Sequence, residues 1–145
     1  GYARQQNWFY APPPVDETFG VSICFDIMFS SPMFDRATRG GVRTWLYPNW
    51  WVNNPAASSV TQIGEAWSRL TRTTLVSAAA GFNYTTSGSA IFVDGVALSL
   101  YYNTTTLGGT SRVLVADVPR RGVTTPLRAV AVATTTRVAA RTAAA

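Results

Sequence analysis

The stretch Thr18-Phe19-Gly20-Val21-Ser22-Ile23-Cys24-Phe25-Asp26-Ile27-Met28-Phe29 constrains this chain more than any other, because it sets the only cysteine at the end of an apolar, β-branched run and follows it with an acid. Runs of Val, Ile and Phe bounded by glycine suit a strand covered on both faces. The carboxyl end of such a strand is where α/β folds carry their chemistry. The segment therefore reads as a buried strand through Cys24 that ends in a sharp turn, with Cys24 where a nucleophile stands. A lone cysteine in apolar surroundings also serves as a small buried hydrophobe, so position alone leaves both roles open.

Composition then removes whole classes of chemistry. Histidine is absent and all 12 basic residues are arginine. Neither a Ser-His-Asp nor a Cys-His arrangement can be built from this chain, and one cysteine without histidine does not supply an ordinary zinc site. No metal and no other cofactor is expected. Any general base is a carboxylate, one of Asp16, Glu17, Asp26, Asp35, Glu65, Asp94 or Asp117, unless another segment supplies it. A redox role lacks a resolving cysteine.

The 145 residues, 47% of them hydrophobic, are enough for a real core. No apolar run approaches the roughly 20 residues that cross a bilayer, and Gly1-Tyr2-Ala3-Arg4 has no signal-peptide pattern. The net charge of +5 comes entirely from Arg120, Arg121, Arg128, Arg137 and Arg141, which follow the last acid, Asp117. These arginines are spaced among Ala, Thr and Val instead of clustered. They read as a solvated or partner-facing segment, and nucleic acid is not an expected partner.

In chain order, Pro12-Pro13-Pro14 enforces an extended approach to the first strand. Ser31-Pro32 opens a short helix to about Arg39, which Gly40-Gly41 stops. A strand over Val42–Tyr47 leads to the loop Pro48-Asn49-Trp50-Trp51-Val52-Asn53 on the same side as Cys24, where the two tryptophans form either a pocket wall or a cap on the core. Asn54-Pro55 begins a helix over residues 55–72, its stripe Val60, Ile63, Trp67, Leu70 and Thr74, with Glu65 beside the stripe and four residues before Arg69. A strand over Leu75–Ala80 follows. Ser89–Val93, the Asp94-Gly95 turn and Val96–Tyr102 make a hairpin, and Ser111–Ala116 reads as a last strand. Asn83-Tyr84-Thr85 and Asn103-Thr104-Thr105 are glycosylation sequons, Asn83 and Asn103 being the acceptors. Two units result: residues 1–119, and residues 120–145 as an Ala/Thr/Arg-rich linker or the start of a second domain.

Phe19-Gly20-Val21-Ser22-Ile23-Cys24-Phe25-Asp26-Ile27-Met28-Phe29 with Pro32 resembles the nucleophile segment of the carbon–nitrogen hydrolase (nitrilase) superfamily. Cys-Phe-Asp-Ile-x-Phe is most similar to the vanin and biotinidase branch. The resemblance continues through Trp45-Leu46-Tyr47-Pro48 with Trp50 and Trp51, Glu65-Ala66-Trp67 and Ser87-Gly88-Ser89-Ala90-Ile91-Phe92, and fades near Pro119.

It implies an α/β fold, the C-terminal part of an α-β-β-α sandwich, in a secreted or cell-surface amidohydrolase. The substrate it implies is a linear amide such as that of pantetheine or a biotin amide. By the same resemblance Cys24 is the nucleophile and the Phe25 backbone N–H holds the oxyanion, and Trp50 and Trp51, in the loop on the same side, are the candidate substrate-pocket residues. A glutamate base belongs upstream of Gly1, and the family lysine position falls on Gln5. The partners expected are the small-molecule amide, the missing N-terminal half of the same domain, and a second copy or a larger extracellular assembly. The alternative is a non-catalytic structural or assembly glycoprotein that keeps the hydrolase-like fold.

Overall fold

In the computed structural model, which describes residues 7–54, 59–83, 85–103 and 111–119, the apolar runs become strands of one sheet. β1 (Trp8–Ala11), β2 (Glu17–Val21), β3 (Thr44–Asn49), β4 (Thr74–Ala79), β5 (Ser89–Val93) and β6 (Val96–Tyr101) lie side by side in chain order. β2, β3 and β4 are parallel, whereas the β1–β2, β4–β5 and β5–β6 pairs are antiparallel. Parallel neighbours require crossover connections. A 3-10 turn (Cys24–Met28), a π turn (Ser30–Phe34) and α1 (Asp35–Arg39) carry β2 to β3, and α2 (Val60–Thr71) carries β3 to β4. The class is α/β, as the residues imply.

The core is organised by one cross-strand row. Trp8, Gly20, Trp45, Leu75, Phe92 and Ala97 stand opposite one another across all six strands. Trp45 and Leu75 are fully buried, and Phe92 nearly so. A β-carbon at Gly20 would stand 2.5 Å from the Trp45 ring. The glycine in the key run is therefore a notch that admits the tryptophan. α2 covers this face, its Gly64 so close that a β-carbon there would stand 2.8 Å from the Phe92 ring. Trp67 meets Trp45 edge to face, with centroids 5.8 Å apart. The next row, Val21, Leu46, Val76 and Ile91, projects from the opposite face and is apolar too. Three of its four members are only half-buried.

Several boundaries differ from expectation. The first buried strand stops at Val21, three residues before Cys24. α2 starts at Val60 because Ser59 caps it, accepting from the Gln62 N–H while the Gln62 side chain accepts from the Ser59 N–H at 2.9 Å. The expected residues 55–58 lie outside the described residues. The buried positions of α2 are Val60, Gly64, Trp67, Ser68 and Thr71. Leu70 is 72% exposed, because the stripe turns toward the glycine that lets the helix approach. The hairpin over β5 and β6 is as the Asp94-Gly95 turn predicts.

Residues 111–119 belong to no strand, so the expected strand at Ser111–Ala116 is absent. Val113 is 90% exposed, and the described segment is tied by the Arg112 guanidinium, 4.9 Å from the Tyr101 ring centroid. Residues 120–145 lie outside the described residues.

Gly20→Ala forces the added methyl into the Trp45 ring and is expected to cost about 1–3 kcal/mol, the usual range for overpacking a core. Urea unfolding of the variant checks this, with the surface variant Gly41→Ala excluded as a control because Gly41 has φ +73°.

Candidate active site

Where β2 ends, the chain is held by a set of local bonds. The Ser22 N–H donates to the Leu46 carbonyl at 3.1 Å, and Ile23 is still extended. Cys24 then turns to φ +48°. A non-glycine residue in this region costs on the order of 1–3 kcal/mol and persists only where its surroundings impose it. Asp26 supplies one restraint: its N–H donates to the Ile23 carbonyl at 3.0 Å, and its Oδ2 accepts from the Ile23 N–H, also at 3.0 Å. Tyr47 supplies the other, its phenol donating to the Cys24 carbonyl at 2.5 Å. The result is a strand, a strained turn and a short helical turn with the thiol at the carboxyl end of a parallel strand, the geometry of a nucleophile elbow. The N–H groups of Cys24 and Phe25 open the 3-10 turn and by its geometry have no acceptor within it.

Tyr47 is fully buried on β3, two residues beyond Trp45 and on the same face. Its phenol is pushed well above the ordinary 10.0, first by burial and then by the Cys24 and Asp26 groups nearby. It is a protonated donor throughout the neutral range. Sequence reading names Asp26 only as one of the carboxylates open to a base role and Tyr47 only within the Trp45-Leu46-Tyr47-Pro48 motif, and neither as a brace for the Cys24 turn. Asp26 carried a signal, the acid three residues after a strand residue that a capping box uses. Tyr47 carried none, since its contact spans 23 positions.

The predicted pocket residues separate. The Phe25 ring, 59% exposed, stacks on Trp51 with centroids 5.9 Å apart and meets Phe29 edge to face at 5.8 Å. Trp51 packs against the core, whereas Trp50 is 66% exposed. Ile23, Met28 and Phe29 are also more than half exposed, so the elbow presents an apolar surface around the half-buried Cys24.

No carboxylate among the described residues hydrogen-bonds the Cys24 thiol. Asp16 accepts from the Tyr10 phenol at 2.5 Å, in a polar cleft of about 250 Å³ that Glu17, Thr18 and Arg43 also line. That cleft lies at the amino ends of β2 and β3, away from Cys24. Glu65 is exposed and pairs with Arg69 at 3.2 Å. No group of three or more metal-ligating side chains occurs among the described residues. Gln5 lies outside the described residues. Asn83 is half-buried, its Oδ1 accepting from the Thr85 N–H at 3.0 Å. Asn103 is 3% exposed and its amide donates to the Gly81 carbonyl at 3.4 Å.

No protein-family model matches the chain, and no curated protein matches it in sequence. Solved structures do. Nit3 of Saccharomyces cerevisiae, a member of branch 10 of the nitrilase superfamily, aligns over 62% of this chain and 35% of its own with TM-score 0.51 and 17% identity. A cysteine-to-alanine variant of the Nesterenkonia AN1 amidase, from the same superfamily, aligns over 68% and 38% with TM-score 0.52 and 18% identity. A glutamate-to-glutamine variant of that amidase, carrying the product of Michael addition of acrylamide at its active-site cysteine, aligns over 79% and 44% with TM-score 0.57 and 21% identity. The chain thus has the fold of part of a nitrilase-superfamily domain. It spans less than half the length of these structures.

Asp26→Ala removes the acceptor for the Ile23 N–H and is expected to cost about 1 kcal/mol in urea unfolding, whereas Asp26→Asn keeps an acceptor oxygen and costs only a few tenths. A second expectation follows from Tyr47. Its folded-state ionisation lies above 10.0, so the unfolded chain loses the phenolic proton first and stability falls as pH rises above about 10. Unfolding free energies measured across that range should flatten in Tyr47→Phe.

Proposed function

We propose that Cys24 is the acyl-forming nucleophile of a carbon–nitrogen hydrolase acting on linear amides, of the pantetheine or biotin-amide type that the vanin and biotinidase branch uses. One observation carries this: the only cysteine occupies a left-handed turn at the end of a parallel strand, held by two separate hydrogen-bonding restraints. A cysteine that merely fills a core needs no such strain.

In this reading the thiolate attacks the amide carbonyl and the Phe25 N–H receives the developing oxyanion. The C–N bond breaks as the amine departs with a proton, and water then cleaves the thioester to release the acid and restore the thiol. Preorganised donors of this kind are worth about 3–4 kcal/mol in acyl transfer. The base is a glutamate contributed by the part of the domain that precedes Gly1. The same part brings a second sheet onto the apolar face formed by Val21, Leu46, Val76 and Ile91. The exposed aromatics Phe25, Phe29 and Trp50, with Trp51 behind them, form the apolar side of the pocket. Secretion and glycosylation are proposed on the sequons, with Asn83 the more open acceptor.

A second reading, a non-catalytic glycoprotein that acts in assembly with itself or with other extracellular partners, is favoured by Gln5 at the family lysine position. The absence of a carboxylate on the Cys24 thiol among the described residues points the same way.

The full-length protein and its Cys24→Ser variant, incubated with pantetheine and with biotin amides, separate the two. The hydrolase reading expects amine release that falls at least about a thousandfold in the variant, as loss of a nucleophile does, and an acyl adduct on the Cys24 peptide by mass spectrometry. Equal, background release from both proteins, with no adduct, selects the non-catalytic reading.

A further inference from the structure

The Tyr47 hydrogen bond falls on the peptide unit whose other end is the proposed oxyanion donor. A trans peptide is planar, with C=O and N–H pointing in opposite directions. The Cys24 carbonyl and the Phe25 N–H are the two ends of one such plate, and the ψ angle of Cys24 aims both. Cys24 is in the strained left-handed region, which a non-glycine residue keeps only where its surroundings impose it. Tyr47 fixes it from outside the loop. Its ring is fully buried on β3, one residue beyond the last β2–β3 pair, Val21 with Leu46, and opposite Ser77 of β4, and its phenol reaches the carbonyl at 2.5 Å.

A buried phenol needs some acceptor, but stability alone does not require that the acceptor be this carbonyl. Two effects follow from the choice. The N–H is turned to the side of the peptide opposite the Tyr47 phenol. Hydrogen bonding at the carbonyl also polarises the amide, which makes its N–H a stronger donor in a low-dielectric setting.

We infer that Tyr47 is a positioning residue for acyl transfer, which orients and polarises the Cys24–Phe25 peptide so that the Phe25 N–H meets the tetrahedral oxyanion. The inference rests on the reading of Cys24 as an acyl-forming nucleophile. It assigns Tyr47 no contact with substrate. Its effect belongs to steps that create an oxyanion, and not to the reactivity of the thiol as such.

Two reactions at the same sulfur separate these. With p-nitrophenyl acetate the thiolate attacks the ester carbonyl through a tetrahedral oxyanion, the C–O bond breaks, p-nitrophenolate leaves and a thioester remains. With iodoacetamide the sulfur displaces iodide from a methylene carbon and no oxyanion forms. In the full-length protein, Tyr47→Phe is expected to slow acylation of Cys24 about tenfold, less than outright loss of an oxyanion donor, while alkylation stays within about twofold of wild type, because no oxyanion is there to stabilise. Equal slowing of both reactions means that Tyr47 only keeps the elbow folded, and overturns the inference. Unchanged acylation overturns it as well. Wild-type protein that alkylates at Cys24 but never acylates overturns the nucleophile reading itself, and this assignment with it.

A second measurement does not depend on the variant folding. Labelling the full-length protein with [1-¹³C]cysteine and [¹⁵N]phenylalanine selects Cys-Phe peptides, and the Cys24–Phe25 resonance is identified as the one lost in Cys24→Ser. Replacing Tyr47 with 3-fluorotyrosine, a more acidic phenol, is expected to move that carbonyl resonance downfield and to speed acylation with alkylation unchanged. A carbonyl resonance that does not respond shows that the bond is not made, and overturns the inference.

Discussion

The rest of the structure depends on the contact between Gly20 and the Trp45 ring. A tryptophan of full size fits in the middle of a parallel sheet face only because the neighbouring strand offers no side chain at that point. With the ring seated, Leu75 and Phe92 complete the row, and α2 closes over it at Gly64 and Trp67. Packing at this density leaves no freedom to shift β3 relative to β2, since a one-residue slip turns every side chain to the other face. Register, in this molecule, is set by a notch and the ring that fills it.

That register is what brings a buried phenol to the Cys24 turn. Trp45 and Tyr47 are two apart on β3 and therefore share a face. Seating the first at Gly20 carries the second to the level of the turn beyond β2, where its phenol meets the Cys24 carbonyl. The turn also has its own local restraint in Asp26. One hold is encoded within four residues and the other across 23. Together they keep a cysteine in a backbone conformation that few residues other than glycine adopt, and this combination distinguishes Cys24 from a cysteine that fills a core.

The apolar surfaces fall into two groups with different consequences. The face bearing Trp45 and Leu75 is covered by the chain's own helix. The opposite face, with Val21, Leu46 and Val76, is apolar but only half-buried. Strands read as near-continuous hydrophobic runs when both faces are covered, so the composition of β2, β3 and β4 matches a sheet made for two layers. The exposed aromatic cluster at Phe25, Phe29 and Trp50 extends that apolar character to the site.

The sequence by itself determined the α/β class, the hairpin at Asp94-Gly95, the existence of the apolar central strands and the position of Cys24 just beyond one of them. These rest on local pattern: alternation, β-branched content and turn residues act over a few positions. Only the tertiary structure decided where β2 stops, that Tyr47 holds the Cys24 carbonyl, that Trp51 joins the elbow while Trp50 stays exposed, and that Asn103 is buried. The start of α2 at Ser59 was legible as a capping box, and the Asn54-Pro55 signal obscured it. The expected strand at Ser111–Ala116 had the right alternation but pairs with no strand among the described residues. Each of these depends on which strand lies beside which and in what register, and that is fixed by side-chain volume meeting across the sheet, a quantity that no window along the chain contains.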